Sequence, residues 1–165
     1  MIVLLGDTHR QADHGLDGTL LDRVHSAAAV VHTGDFVTTD VVDAFERTVG
    51  GQFVGVHGNA DAADVRSRLP DRQTVTVDGR TIVVVHGHDH TPTLLSFLGR
   101  EAGADLVVFG HSHRPMIEPG PVALCNPGSH ASPRGGSPTY GLLEGSRCRI
   151  MTTAGSLVSE HNLES

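Results

Sequence analysis

The sequence predicts an α/β fold in which two β-sheets pack face to face with helices outside. Through residue 110, short apolar runs alternate with stretches of helical hydrophobic spacing, as parallel βα units do. Beyond it, short strand-like runs joined by Gly/Pro turns read as an antiparallel meander. The apolar runs of the first part also lead into segments where Gly accompanies Asp, Asn or His, which collects polar side chains at the carboxyl edge of a sheet.

The first strand is expected at residues 2–5. A helix over roughly 16–29 follows, with Leu16, Leu20, Leu21, Val24 and Ala28 on one face. After a strand at 29–31, a second helix over 41–49 takes Asp40 as N-cap and ends at Gly50 and Gly51. A strand at 53–56 precedes a short helix near 62–69 that stops at Pro70. Strands at 74–77 and 81–85 flank Asp78-Gly79, a two-residue hairpin signal. The next helix has Thr91 as N-cap, Pro92 at its first position and Gly103 after its last turn. A strand at 106–109 and short strands at 116–118, 122–125, 140–144 and 149–152 complete the chain.

A length of 165 residues fits one domain, 1–165, large enough to bury roughly 70% of its unfolded surface. Cys125 and Cys148 form neither a disulfide framework nor a CxxC zinc pattern, and a reducing cytoplasm is the default. No signal peptide opens the chain, and no apolar run approaches the ~18 residues that span a bilayer. A soluble cytoplasmic protein without a membrane partner is expected; a homo-oligomer stays open. All 12 basic residues are Arg, Asp outnumbers Glu by 13 to 6, and the net charge is −7. That balance, with no aromatic stacking series, argues against long nucleic acids as partners.

Seven candidate metal ligands lie in five segments: Asp7 and His9, Asp35, Asn59, His86, and His111 with His113. Residues two apart in extended chain point the same way, so each close pair can serve one cluster. The set mixes two carboxylates, one amide and four imidazoles. Hard Ca²⁺ or Mg²⁺ sites want mostly oxygen, and a structural zinc uses four ligands. Seven mixed ligands suit two divalent ions, with Mn²⁺ placed first and Ni²⁺, Zn²⁺ or Fe as alternatives. Two such ions against Asp7, Asp35 and a bridging hydroxide leave roughly one positive charge, which favours a small anion such as a phosphate.

With these motifs the chain resembles the calcineurin-like metallophosphoesterase superfamily. The motifs GDxH, GD, GN, H and GHxH match Gly6-Asp7-Thr8-His9, Gly34-Asp35, Gly58-Asn59, His86 and Gly110-His111-Ser112-His113 in order. Gly58-Asn59-Ala60-Asp61 and the loop Asn126-Pro127-Gly128-Ser129 followed by Arg134 are similar to the small prokaryotic phosphodiesterase subgroup, itself similar to the retromer scaffold subunit. The resemblance implies a four-layer αββα sandwich of two mixed sheets flanked by helices. It implies Asp7, His9, Asp35 and His113 around one metal, and Asp35, Asn59, His86 and His111 around the other, with Asp35 bridging. Many of these phosphatases carry His directly after the metal-binding Asn, where this chain has Ala60; the general acid is therefore unassigned.

The expected activity is a phosphodiesterase acting on small phosphate esters, with a metal-bridging hydroxide as nucleophile and Asn59 both ligating and donating to the phosphate. The alternatives are a phosphomonoesterase with the same centre and a non-catalytic metal-binding scaffold. His57, His88 and His130 are the candidates for protonating the leaving group, and Arg134 for clamping a phosphate oxygen. His32 is expected in the core or hydrogen-bonded behind the ligands, and His14, His25, His90 and His161 in solvent.

Overall fold

The structure is a computed structural model and describes residues 1–163. Its elements run β1 (Ile2–Leu5), α1 (Gly18–Ser26), β2 (Ala29–His32), α2 (Thr39–Thr48), β3 (Gln52–Gly55), α3 (Ala63–Arg68), β4 (Arg72–Val77), β5 (Arg80–Val85), α4 (Pro92–Glu101), β6 (Leu106–Val108), β7 (Met116–Glu118), β8 (Ala123–Asn126), β9 (Thr139–Glu144), β10 (Arg147–Thr152) and β11 (Leu157–Asn162). A six-stranded sheet has the order β11-β10-β9-β1-β2-β3, and a five-stranded sheet the order β4-β5-β6-β8-β7.

Each central strand is buried on both faces, which is why it reads as an unbroken apolar run. In β1, Ile2 and Leu4 face the seam between the sheets, where they meet Ile82, Val84, Leu106 and Val108 from the other sheet. Val3 and Leu5 face outward against Leu20, Val24, Val41, Phe45 and Val65 of α1, α2 and α3. On the far side, Leu95 of α4 packs on Val83, Val85, Val107 and Leu124. The layers are α, β, β, α, as the resemblance implied. Each fully buried Val or Leu contributes about 1.5–3 kcal/mol. The two cysteines come from opposite sheets and are both buried in the seam.

The register aims the site. β1, β2 and β3 are parallel, with Leu5, His32 and Gly55 level. β5, β6 and β8 are parallel too, with Val84, Val108 and Cys125 level. The loops after these strands therefore leave along one edge of the sandwich.

Several boundaries differ from expectation. The first helix starts at Gly18, because the chain turns there through a left-handed residue (φ 48°) after burying Leu16. Thr38, not Asp40, is the N-cap residue of α2, and Asp40 lies in its first turn, where a carboxylate suits the exposed amides. The hairpin β4–β5 and the helix capped by the Thr91 side chain form as expected. β11 was not anticipated: its large apolar residues, Leu157 and Val158, are exposed, and pairing with β10 defines it. No helix among the described residues is long and apolar enough to cross a membrane.

Candidate metal centre

Five of the seven expected ligands occupy left-handed backbone: Asp7 (φ 52°), His9 (47°), Asp35 (60°), His111 (70°) and His113 (57°). The pairs Asp7/His9 and His111/His113 converge, but through tight turns rather than extended chain. A left-handed non-glycine residue costs up to about 1–2 kcal/mol, so the loops need cross-ties. Asp7 N donates to Gly34 O (3.0 Å), His9 N to Asp35 O (2.9 Å) and Gly110 N to His86 O (2.9 Å). Close approach also explains the glycines: a Cβ on Gly58 would lie 2.1 Å from Asp35 Oδ1, and one on Gly110 2.4 Å from Thr33 Oγ1.

The side chains then converge on one another. His86 Nδ1 donates to Thr33 O (2.8 Å), which leaves the neutral ring a lone pair on Nε2. That Nε2 lies 2.9 Å from Asn59 Oδ1 and 3.3 Å from Asp35 Oδ2. His111 Nδ1 lies 3.0 Å from the same Asn59 oxygen. Across the cluster, His9 Nε2 is 3.2 Å from Asp35 Oδ2, so this oxygen sits between His9 and His86. His113 Nδ1 donates to Ser132 O, and its Nε2 faces Asp7 Oδ1 at 3.7 Å. Asp7 Oδ2, His9 Nε2 and His113 Nε2 are buried without a hydrogen-bond partner among the described residues.

These groups fit divalent cations. Two donors about 2.1 Å from one ion and at right angles lie about 3.0 Å apart, close to the separations around Asn59 and Asp35. Metal-bound imidazoles characteristically donate their other N–H to a carbonyl, as His86 and His113 do. Asp7, His9 and His113 bring ligand atoms within 4.8 Å of one another, and so do Asp7, Asp35 and His86.

Electrostatics without cations tell the same story. Burial pushes the Asp7 carboxyl up to about 6, against the pull of His86. Burial works in the same direction on Asp35, but contact with His86 and His9 outweighs it and holds that carboxyl well below the usual range. Burial opposes protonation of His86, yet Asp35 and Asp7 raise it, so a proton there stands in for a metal's charge. His111 and His113 are lowered by burial, with Arg134 among the contributing positive charges.

Behind the ligands lies a residue whose role was not read from the sequence. Asp61 is buried and accepts three backbone amides: Asp35 N (3.0 Å) and Gly58 N (2.7 Å) on Oδ2, and Val37 N (2.7 Å) on Oδ1. It fastens the loop of Asp35 to the loop of Asn59. The sequence signal was only an Asp two places after a ligand. Asn126 and Ser129 act similarly, donating to Gly110 O and Asp7 O, each at 2.8 Å. His32 is buried as expected, with Nε2 against Thr8 Oγ1 (2.8 Å) and Nδ1 accepting from Gly34 N (3.1 Å).

The remaining candidates separate. His88 stands at the rim, its ring centroid 5.4 Å from that of His86 and 6.2 Å from that of His111, with Nε2 held 3.0 Å from Asp89. His57 is half-buried and lines the cleft beside His86. His130 does not face the cluster as the sequence suggested: its Nε2 meets His14 O (2.7 Å) and its ring packs edge-on to Phe45, because the turn after Ser129 carries it under the helical layer. Arg134 is exposed and lines a second cleft with His113. His14 and His90 are half-buried rather than solvated; His14 Nε2 pairs with Thr48 Oγ1 at 2.9 Å.

Comparison with known proteins shows the family and the fold. A probable metallophosphoesterase of Methanocaldococcus jannaschii is 29% identical over 140 residues, covering 81% of this chain and 70% of that protein. A phosphodiesterase of the same organism is 24% identical over 155 residues, covering 87% and 92%. Among solved structures, Vps29 of Entamoeba histolytica complexed with Zn²⁺ matches with a TM-score of 0.74 at 22% identity, covering 98% of each chain. Residues 1–147 match the model of the calcineurin-like phosphoesterase superfamily domain, and the chain belongs to that superfamily.

Proposed function

We propose that the chain hydrolyses small phosphodiesters with two divalent cations. Asp7, His9, Asp35 and His113 would hold one, and Asp35, Asn59, His86 and His111 the other. The observation that carries this reading is the convergence of Asp7 Oδ2, His9 Nε2 and His113 Nε2, buried without hydrogen-bond partners among the described residues, beside the close contacts of His86 with Asn59 and Asp35. When bound, the ions supply hydroxide near neutral pH and draw charge from the phosphoryl oxygens.

The chain's own residues orient the ester. Asn59 turns Oδ1 to His86 and His111, which leaves its Nδ2 to donate to a phosphoryl oxygen. Arg134, on the His113 side, offers a planar fork to another. His88, held by Asp89 at the rim, is the best placed of the three histidines to protonate a leaving alkoxide. Ala60 brings no imidazole beside Asn59, which favours diesters over monoesters.

With Mn²⁺ added, the protein should turn over bis(4-nitrophenyl) phosphate faster than 4-nitrophenyl phosphate, and Asp35→Asn should abolish both. Faster monoester turnover would make it a phosphomonoesterase. No turnover in metal-loaded protein would sink the hydrolase and favour a scaffold, for which Leu94 (40% exposed) and Phe97 (54%) of α4 offer an apolar surface.

A further inference from the structure

Two clefts flank the cluster, and their charges differ. One, of about 370 Å³, runs from His86 past His88 and carries Asp71 and Asp89 against a single Arg72. The other, of about 490 Å³, begins at His113 and is walled by Arg114, Arg134, Pro115, Pro133 and Val158, with no carboxylate in its lining. Arg10, Arg68, Arg80, Arg147 and Arg149 each hold a carboxylate, whereas Arg114 and Arg134 hold none among the described residues. In a chain of net charge −7, two uncommitted guanidinium groups in one cleft are a local reversal of sign.

Their position is fixed by the centre itself. Arg114 follows His113 directly, and Arg134 lies two residues beyond Ser132, whose carbonyl takes the His113 Nδ1 proton. A phosphodiester carries two arms on phosphorus, and a cleft on each side gives each arm a place. We infer that the cleft beside His113 receives one arm of an asymmetric phosphodiester, and that this arm carries a second phosphate held by Arg114 next to Arg134; the inference rests on the diesterase function proposed above. Guanidinium forks match phosphate oxygens, so Arg114 can hold the second phosphate while Arg134 beside it faces the scissile one. The carboxylates of the opposite cleft repel the same group, so the substrate enters in one orientation. Pro115, Pro133 and Val158 give the rest of the arm an apolar wall, and the volume lies in the range of ligand pockets.

The test compares thymidine 5′-(4-nitrophenyl phosphate) with and without a 3′-phosphate. Leaving group and scissile bond are identical, so only the second phosphate differs. In the Mn²⁺-loaded wild type the 3′-phosphate should raise kcat/KM roughly tenfold, mainly through KM, the lower end of what one solvent-exposed charge-assisted hydrogen bond contributes. Arg114→Gln should bring the ratio close to one; Arg114 is exposed, so the change leaves no buried group unpaired. A wild-type ratio near one, or an unchanged ratio in the variant, overturns the inference. Turnover of neither ester would instead sink the diesterase. Calorimetry then decides the cleft alone: tighter binding of thymidine 3′,5′-bisphosphate than of thymidine 5′-monophosphate, lost in R114Q, supports it, and equal binding overturns it.

Discussion

Replacing Asp61 by alanine removes the acceptor of three backbone amides, one of them that of Asp35, while leaving all seven candidate ligand side chains in place. The amides of Asp35, Gly58 and Val37 lie 2.7 to 3.0 Å from the Asp61 carboxylate. A hydrogen bond to a charged group contributes about 1.5–3 kcal/mol, and the three share one acceptor and are not additive. Water entering the gap recovers part of the loss. The expected destabilisation is about 3–5 kcal/mol, a fall in Tm of roughly 10 °C for a chain of this length. Cation binding should weaken as well, by about 10–100-fold, because Asp35 and Asn59 leave their shared geometry. Urea denaturation of metal-free protein reads the first effect, and calorimetric titration with Mn²⁺ the second. Asp61→Asn keeps the shape and retains part of both. If Asp61→Ala unfolds within about 1 kcal/mol of wild type and binds Mn²⁺ equally well, Asp61 does not fasten the two loops.

Other outcomes follow from the same geometry. His88→Ala should slow hydrolysis of alkyl phosphodiesters about 10²-fold while barely affecting nitrophenyl esters, whose leaving group needs no proton; equal slowing of both would remove His88 as proton donor. Protons on Asp7, at about 6, and on His86 compete with cations, so Mn²⁺ affinity should fall below pH 6 by about tenfold per unit for each proton displaced; calorimetry at pH 7.5 and 5.5 would reveal a flat dependence if the argument is wrong. In the metal-free protein His130 and His32 lower stability as pH falls, while the raised Asp7 and His86 oppose them. Burial lowers His130 to about 4 and depresses His32, so between about 6.5 and 4 the unfolded chain takes up protons that the native one refuses. The His130 contribution alone is about 3 kcal/mol, present above pH 6.5 and lost toward pH 4. Denaturation of wild type and His130→Gln at pH 7 and 5 isolates this share: the variant should lose less stability, or gain more, on going to pH 5, and identical shifts would refute it.

The gathering of the seven candidate ligands was legible because each stands just past an apolar strand, and parallel pairing carries that order in sequence to one edge in space. The αββα layering was legible for a related reason: strands buried on both faces and helices apolar on one leave few other arrangements. Asp61 was not legible, because a carboxylate in a polar loop looks the same whether it meets water or three amides. His130 was misread because the direction of a side chain after a turn depends on that turn's dihedral angles, which the residue types do not specify. β11 escaped because backbone pairing, rather than a buried apolar face, defines it.

The five left-handed ligand positions set two demands against each other. Glycine at any of them would relax the corner but remove the side chain that the proposed centre needs. If the chain works as proposed, these five corners carry backbone strain for the sake of the side chains they aim, and Asp7 and Asp35 offset part of it by accepting the amides of His111 and Ala60.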